Sequence, residues 1–325
     1  MPTWGEILKE LLDYQRTEKK LPYDAIRRKY LLKLFERTKR NVIFYASNWM
    51  DQPPPPGTDI NISDLQGFME VIKDLKGENL DFIIHSPGGS AEAAEAIIKY
   101  IRKKFKNIRV IVPYAAMSAA SRMVCSGNSI LLGKHSYIGP IDPQIILNTQ
   151  VGRQMIPAQS ILDQFRLAKE EIKDPSKVTA WIPILPQYGP ALLIQCQNAQ
   201  TLSNQLVKDW LTRYMFEGEK DAELKAENIA KYLGSHEKFK SHSRYIDRDE
   251  TEQLGLKVEK LENDPILQDL VLSVFHCYMH TFSGTPSTKI IENHLGKALV
   301  RLSQQINLPI QISGPPLPPK KPEGM

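Results

Sequence analysis

The chain has few cysteines, and no pattern would use them together. Cys125, Cys196 and Cys277 are the only cysteines among 325 residues, and none of them stands in a C-x-x-C pair. This spacing argues against a disulfide framework and against a zinc site, and it suits a reducing compartment. We therefore expect a cytoplasmic protein that needs neither a metal nor another cofactor.

Long apolar runs are also missing. The longest candidate, around residues 191–196, is far shorter than the roughly 20 residues that cross a bilayer. The first residues have neither the basic nor the apolar segment of a signal peptide. We expect no membrane span and no secretion signal.

The chain also has little excess of either charge. The 42 Lys and Arg residues nearly balance the 37 Asp and Glu residues, which leaves a formal net charge of +5. The basic residues are spread along the chain and do not form a stripe interleaved with aromatic side chains, so nucleic-acid binding is not expected. An apolar content of 42% is ordinary for a globular protein.

Strand-like and helix-like patterns alternate through the first half of the chain. Helical spacing of apolar residues predicts a helical arm over residues 1–40. After it, β-type runs at 41–47, 82–84, 110–112 and 129–132 are separated by helical patterns, the clearest being 91–104. This alternation predicts an α/β fold with parallel strand pairing.

The pattern loosens beyond Gly139, and residues 264–307 are predicted to be mostly helical. A run of prolines at the end predicts a disordered tail of polyproline type. The predicted organisation is an arm at 1–40, an α/β core at 41–262, a C-terminal helical segment at 263–312 and a Pro-rich disordered tail at 313–325.

Two turns between a strand and a helix carry residues suited to acyl transfer. Pro87-Gly88-Gly89 offers bare backbone N–H groups at a helix N-terminus, a natural place for an oxyanion. Taken alone, it could be a plain strand-to-helix turn. Ser118 stands among small residues where a second strand turns into a helix, and the N–H of Ala119 could join the same oxyanion hole.

Ser118 has two competing interpretations. A serine at this place is often only the N-cap of its helix. Ser121, one turn later, is a rival nucleophile, although that turn would point it more towards the packing face.

Taken together, the two turns resemble the Clp protease and crotonase superfold, and in particular the serine dehydrogenase proteinase family, related to signal peptide peptidase A. The resemblance rests on His85 to Ser90, Ala115 to Arg122, Gly133 to Gln144 and Ser241 to Leu256, and it extends to Thr281 to His294. It implies a repeated ββα superhelix with a helical N-terminal arm and C-terminal helices. It also implies that Gly88 and Gly89 are oxyanion-loop glycines and that Ser118 is the nucleophile.

The general base departs from the family pattern. The place of the Clp histidine reads Gly139-Pro-Ile-Asp-Pro143, and Gln159 occupies the place of the peptidase lysine. Three substitutes remain open, namely His242, Lys169 and His135; His242 is preferred because an imidazole has a suitable intrinsic pKa. Asp142 could orient such a base or simply cap its tight turn.

Three functions follow from these residues. The leading hypothesis is a serine endopeptidase that cleaves a peptide or protein substrate and assembles, as the resemblance implies, into a homo-oligomer through its arm and C-terminal helices. The second is a crotonase-type enzyme acting on an acyl-coenzyme A. The third is a non-catalytic scaffold that has lost its base, whose Pro-rich tail would dock in an aromatic-lined groove.

One further pair of residues could suggest a metal. His276 and His280 have the i, i+4 spacing that can share one ion. No third ligand is evident in the sequence, so we interpret the pair as helix packing.

Overall fold

A computed structural model describes residues 4–18, 22–51, 53–149 and 152–303. The strands are β1 Asn41–Ser47, β2 Asn79–His85, β3 Asn107–Val112, β4 Ala115–Ala116, β5 Ser129–Leu132, β6 Tyr137–Ile138, β7 Gln144–Thr149, β8 Gly152–Pro157, β9 Ile246–Asp247, β10 Val258–Lys260, β11 Ser287–Asn293 and β12 Ala298–Leu302. The Pro-rich tail predicted at 313–325 lies outside the described residues.

The helices follow the same chain order. They are α1 Trp4–Glu18, α2 Tyr23–Thr38, α3 Asp64–Ile72, α4 Ala91–Lys104, α5 Ala119–Val124, α6 Ala158–Glu171, α7 Val178–Trp181, α8 Leu192–Trp210, α9 Ala222–Leu233, α10 His236–Phe239, α11 Arg248–Gln253 and α12 Pro265–Gly284. Short 3-10 turns lie at Leu185–Gln187 and Leu261–Asn263, and a π-helical turn at Leu211–Met215 extends α8.

A seven-stranded sheet in the order β10-β5-β3-β2-β1-β11-β12 forms the centre of the molecule. The five strands from β10 to β1 pair in parallel, as the alternation of strands and helices predicts. At the other edge, β11 pairs antiparallel with both β1 and β12. The carboxyl ends of the parallel strands therefore lie along one side of the sheet, where the strand-to-helix turns meet.

Alternating side chains of the central strands fill two cores. On β1, Ile43 and Tyr45 pack into a core shared with α3 and α4, whereas Val42 and Phe44 pack into a core shared with α2 and α12. Because both faces of β1 are covered, its sequence is a nearly continuous apolar run, and this run predicts the strand from the sequence alone.

The C-terminal part of the chain corrects one prediction. Of the segment 264–307 that was predicted to be mostly helical, the structure describes 264–303, where α12 is followed by two strands of the central sheet, Ser287–Asn293 and Ala298–Leu302. β11 lies inside the sheet and is buried along its whole length, but most of its buried residues are polar or charged, so neither an apolar run nor an apolar–polar alternation marks it as a strand. The proposed division of the chain at residue 262 stays a prediction.

Candidate active site

Ser118 occupies a strained turn between β4 and α5. Its φ of 52° and ψ of −117° lie outside the regions that residues with a side chain normally adopt. Ser118 is the N-cap residue of α5, yet its side chain accepts no capping hydrogen bond. Such strain persists only where the surroundings fix the backbone, and it is concentrated at functional sites. A capping role for the hydroxyl therefore has no support.

Ser121 has a structural role instead. Its buried hydroxyl donates to the carbonyl of Ala116 at 2.7 Å and accepts from the N–H of Gly139 at 2.9 Å. Ser118, by contrast, is half-buried while its neighbours from Ala119 to Cys125 are buried. Of the two serines, only Ser118 can meet a substrate.

The Gly88-Gly89 turn lies directly against Ser118. Gly88 has a φ of +96°, and a Cβ placed on it would stand 2.7 Å from Ser118 Cβ and 2.8 Å from Ala119 N. Gly89 has a φ of +148°, and a Cβ there would stand 2.4 Å from the carbonyl oxygen of Ile60. Neither position admits a side chain, so the turn is held between Ile60 on one side and Ser118 on the other.

Two backbone N–H groups at these turns have no acceptor among the described residues. The N–H of Gly88 donates to Ser86 Oγ at 3.2 Å. Within the described ranges, no residue accepts a hydrogen bond from the N–H of Gly89 or of Ala119. Gly89 is exposed and Ala119 is next to Ser118, so these two donors could serve a ligand beside the serine.

Backbone bonds between the two turns keep them in register. Ser86 N donates to the carbonyl of Ala115 at 3.2 Å, and Met117 N donates to the carbonyl of Ser86 at 2.9 Å. His85 Nδ1 lies 3.2 Å from the same Ala115 oxygen, and burial lowers the pKa of His85 to about 3. A neutral His85 therefore supports the strand that leads to Ser118.

Asp142 binds two histidines. Its carboxylate lies 2.7 Å from His242 Nδ1 and 3.0 Å from His236 Nδ1, while Gln144 Nε2 donates to it at 3.1 Å. Burial alone would raise the pKa of Asp142, but the hydrogen bonds and charges of His242 and His236 hold that pKa below its usual range. Because Nδ1 of each ring faces the carboxylate, Nε2 of each ring is the atom left to accept a proton.

A buried arginine connects this carboxylate with the serine helix. Arg122 lies one turn after Ser118, and its Nη2 donates to the carbonyl of Ile141 at 2.7 Å while its Nε donates to Ser203 Oγ at 2.9 Å. Burial lowers the pKa of Arg122 to about 10, although the charge of Asp142 opposes this shift. Arg122 therefore remains charged at neutral pH and fixes the segment before Asp142 against α5.

The candidate bases are not bonded to the serine. Within the described part of the chain, Ser118 Oγ makes no hydrogen bond, and the bond of His242 that the structure shows is the one from Nδ1 to Asp142. Lys169 is exposed on α6. Burial lowers the pKa of His135, which lies by Pro113 and Glu262. Gln159 is tied by hydrogen bonds to Asp163 and Gln200.

Sequence reasoning missed His236 and Arg122 as members of this cluster. His236 is 94 residues from Asp142 along the chain, and no motif signals it. Arg122 could have been noticed, because a charged residue one turn after a small-residue serine motif needs a buried acceptor. The acceptors it finds, Ile141 O and Ser203 Oγ, come from other elements.

The remaining histidines near α12 pack against α1. His280 Nε2 lies 2.9 Å from the carbonyl of Trp4, and the rings of the two residues are 3.7 Å apart. In the described ranges, no group of three or more His, Cys, Asp or Glu residues could hold a metal ion. No helix there combines the length and the apolar character needed to cross a membrane.

The region of the chain that matches a known protein family includes this site and most of the core. The family model of the ClpP-like SDH-type serine proteinases matches residues 59–268, which include both turns, Asp142 and His242. Two uncharacterized proteins of Methanocaldococcus jannaschii are similar. MJ1495 is 33% identical over 117 residues, or 35% of this chain and 37% of the relative. MJ0137 is 29% identical over 201 residues, or 62% of this chain and 60% of the relative.

The chain thus spans less than two thirds of either relative. A solved structure, a mutant of the 1510-N membrane-bound stomatin-specific protease, aligns with 55% of this chain and 62% of that chain at 14% identity and a TM-score of 0.31. The family match confirms the Clp/crotonase-like fold that the resemblance implies. The chain belongs to the ClpP-like SDH-type serine proteinases.

Proposed function

We propose that the protein is a serine endopeptidase in which Ser118 is the nucleophile. The observation that carries the proposal is the contact between the turns: a strained, accessible serine packs against Gly88, and the next N–H groups of the two turns, those of Gly89 and Ala119, have no acceptor among the described residues. That pairing suits a tetrahedral oxyanion formed when the serine attacks a carbonyl. The N–H of Gly88 already donates to Ser86 Oγ. The main role of Gly88 is therefore to let the two turns pack closely, because it has no side chain.

The proposed reaction moves one proton through His242. Ser118 Oγ bonds to the peptide carbonyl carbon, its proton passes to His242 Nε2, and the oxyanion is held by the two amides. The C–N bond then breaks, the amine leaves with that proton, and water hydrolyses the ester. Asp142 holds the ring by Nδ1, which leaves Nε2 as the acceptor. Nε2 must approach Ser118 when substrate binds, as catalytic hydrogen bonds often tighten only then.

Labelling with a fluorophosphonate tests the nucleophile. We expect the wild type to be labelled and Ser118→Ala to remain unlabelled at equal folded concentration. Equal labelling of both proteins would contradict the assignment of Ser118. Absence of labelling in the folded wild type would instead favour the non-catalytic scaffold, the second candidate, because no base among the described residues is hydrogen-bonded to Ser118.

A matched pair of variants tests the base. His242 and His236 bind the same carboxylate through the same ring nitrogen, so His242→Gln and His236→Gln disturb Asp142 in similar ways. We expect His242→Gln to slow labelling of Ser118 by about 10²-fold or more, the usual contribution of a general base. A larger loss in His236→Gln would assign the base to His236, and no loss in either would exclude both histidines that bind Asp142.

Assembly into a homo-oligomer is a further part of the proposal. Trp4, Leu8 and Leu12 stand on one stripe of α1 and are 43%, 39% and 43% exposed. An apolar stripe on the surface is typical of an interface between subunits. Sedimentation equilibrium should find an oligomer that Leu8→Glu weakens; a wild type that stays monomeric would contradict this part.

A further inference from the structure

A buried lysine on the central sheet binds the loop that precedes α3. Lys289 of β11 and Asp64 of α3 have fully buried side chains, and Lys289 Nζ lies 3.0 Å and 2.9 Å from the two carboxylate oxygens of Asp64. The same ammonium donates to the carbonyl of Asp59 at 2.6 Å. Lys289 therefore joins both ends of the 59–64 loop.

Asp64 extends this contact inside the loop. Its Oδ2 accepts the N–H of Asn61 at 3.0 Å and the hydroxyl of Tyr45 at 2.9 Å. Burial lowers the pKa of Lys289, but the charge of Asp64 opposes that shift. An ammonium and a carboxylate that are both removed from water hold their partners tightly, because an unpaired charge there is costly.

The loop passes this constraint to the Gly88-Gly89 turn. Ile60 stands between Asp59 and Asn61, and its N–H donates to the carbonyl of Gly88 at 2.7 Å, while Ser90 N donates to the carbonyl of Ile60 at 2.9 Å. The Ile60 backbone is so close to Gly89 that it leaves no room for a Cβ there. The Gly88 carbonyl and the Gly89 N–H belong to one planar peptide unit. The hydrogen bond from Ile60 to that carbonyl therefore sets the direction of the Gly89 N–H.

We infer that Lys289 is a positioning residue that holds the Gly89 amide towards Ser118 through Asp64 and the Ile60 loop. This inference rests on the proposed function, because the amide matters only if an oxyanion forms beside Ser118. Lys289 itself touches neither the serine nor the turn. Its loss should misplace the amide donor while leaving Ser118 in its own strained turn.

The same strand offers a matched control. Glu292 is also fully buried on β11, and it accepts from Arg27 Nε at 2.8 Å and from the Tyr278 hydroxyl at 3.0 Å. Those partners belong to α2 and α12, on the other side of the sheet from the 59–64 loop. Lys289→Met and Glu292→Gln each leave one buried charge without its main partner, but only the first change affects the loop.

Two measurements on the full chain test the inference. We expect fluorophosphonate labelling of Ser118 in Lys289→Met to have a maximal rate about 10²-fold lower, the usual effect of an ångström-scale misplacement, with little change in the probe concentration that gives half the maximal rate. Glu292→Gln should label at the wild-type rate per folded molecule. Hydrogen exchange should speed up at the amides of Ile60 and Ser90 in Lys289→Met only.

Each outcome decides a separate point. Unchanged exchange at Ile60 and Ser90 in Lys289→Met would overturn the inference, as would equal labelling rates in the two variants. A folded wild type without labelling at Ser118 would overturn the proposed function. The exchange experiment would still decide whether Lys289 holds the loop.

Discussion

Replacing Gly88 with alanine tests the contact between the two turns on which the candidate site depends. A Cβ at this position would stand 2.5 Å from the carbonyl oxygen of Met117, 2.7 Å from Ser118 Cβ and 2.8 Å from Ala119 N. Two of these three atoms are backbone, so a side-chain rotation cannot relieve the contact. The turns must move apart, and they are the parts that would bind the oxyanion.

The size of the effect follows from two contributions. Alanine at a φ of +96° carries backbone strain of about 1–2 kcal/mol. Forcing a methyl group into packed atoms costs about 1–3 kcal/mol more. Gly88→Ala should therefore lower the free energy of unfolding by about 2–5 kcal/mol and, if the turns separate by about 1 Å, slow labelling of Ser118 by about 10²-fold.

Gly77→Ala is the matched control. Gly77 has a φ of +81°, but no heavy atom lies within 4 Å of the position that a Cβ would take, so its replacement adds the strain without the contact. We expect a loss of only about 1–2 kcal/mol and normal labelling. Urea unfolding followed by circular dichroism, together with labelling kinetics, measures both effects. Equal unfolding midpoints and equal labelling rates for the two variants would show that Gly88 is not in tight contact with Ser118 and Ala119.

Two further predictions concern the residues that support the site. Ser121→Ala removes the hydroxyl that bonds Ala116 and Gly139, so urea unfolding should show a free energy of unfolding lower by about 1–3 kcal/mol. Ser118 in the folded variant should still be labelled. Loss of labelling without loss of stability would contradict the structural role of Ser121. Burial lowers the pKa of His85 to about 3, below its ordinary value, so the unfolded chain binds one more proton between about pH 6.5 and pH 3. Over that window this residue makes stability fall by about 1.4 kcal/mol for each unit that the pH is lowered, and His85→Phe should show a correspondingly shallower slope in urea midpoints from pH 7 to pH 4. Parallel slopes would refute the assignment of a neutral buried His85.

The strands whose sequences are apolar on both faces were predictable. Asn41–Ser47 and Ser129–Leu132 are strands at the bounds that their runs of apolar residues indicate. The hairpin of Gln144–Thr149 and Gly152–Pro157 was not recognised. Both strands are half-buried or exposed along their length, and neither sequence alternates regularly between apolar and polar residues. The usual signal of a strand is therefore missing.

The chemistry of the site was only partly readable. Gly88, Gly89 and Ser118 could be identified because each lies in a short turn whose residue types have a local physical reason. The partner of His242 was named only as one option, since Asp142 is 100 residues away in the chain. Nothing local distinguishes a histidine that meets a carboxylate from one that faces solvent.

Local patterns in the sequence specify the α/β alternation, the two strand-to-helix turns and the small residues around Ser118, because these depend on contacts and backbone angles within a few neighbouring residues. Three contacts could be learned only from the folded chain: Gly88 touches Ser118, Asp142 binds His236 and His242, and Lys289 reaches the Ile60 loop. Those contacts join residues that lie far apart along the chain. They arise when the sheet brings the ends of its strands together, so no local pattern encodes them.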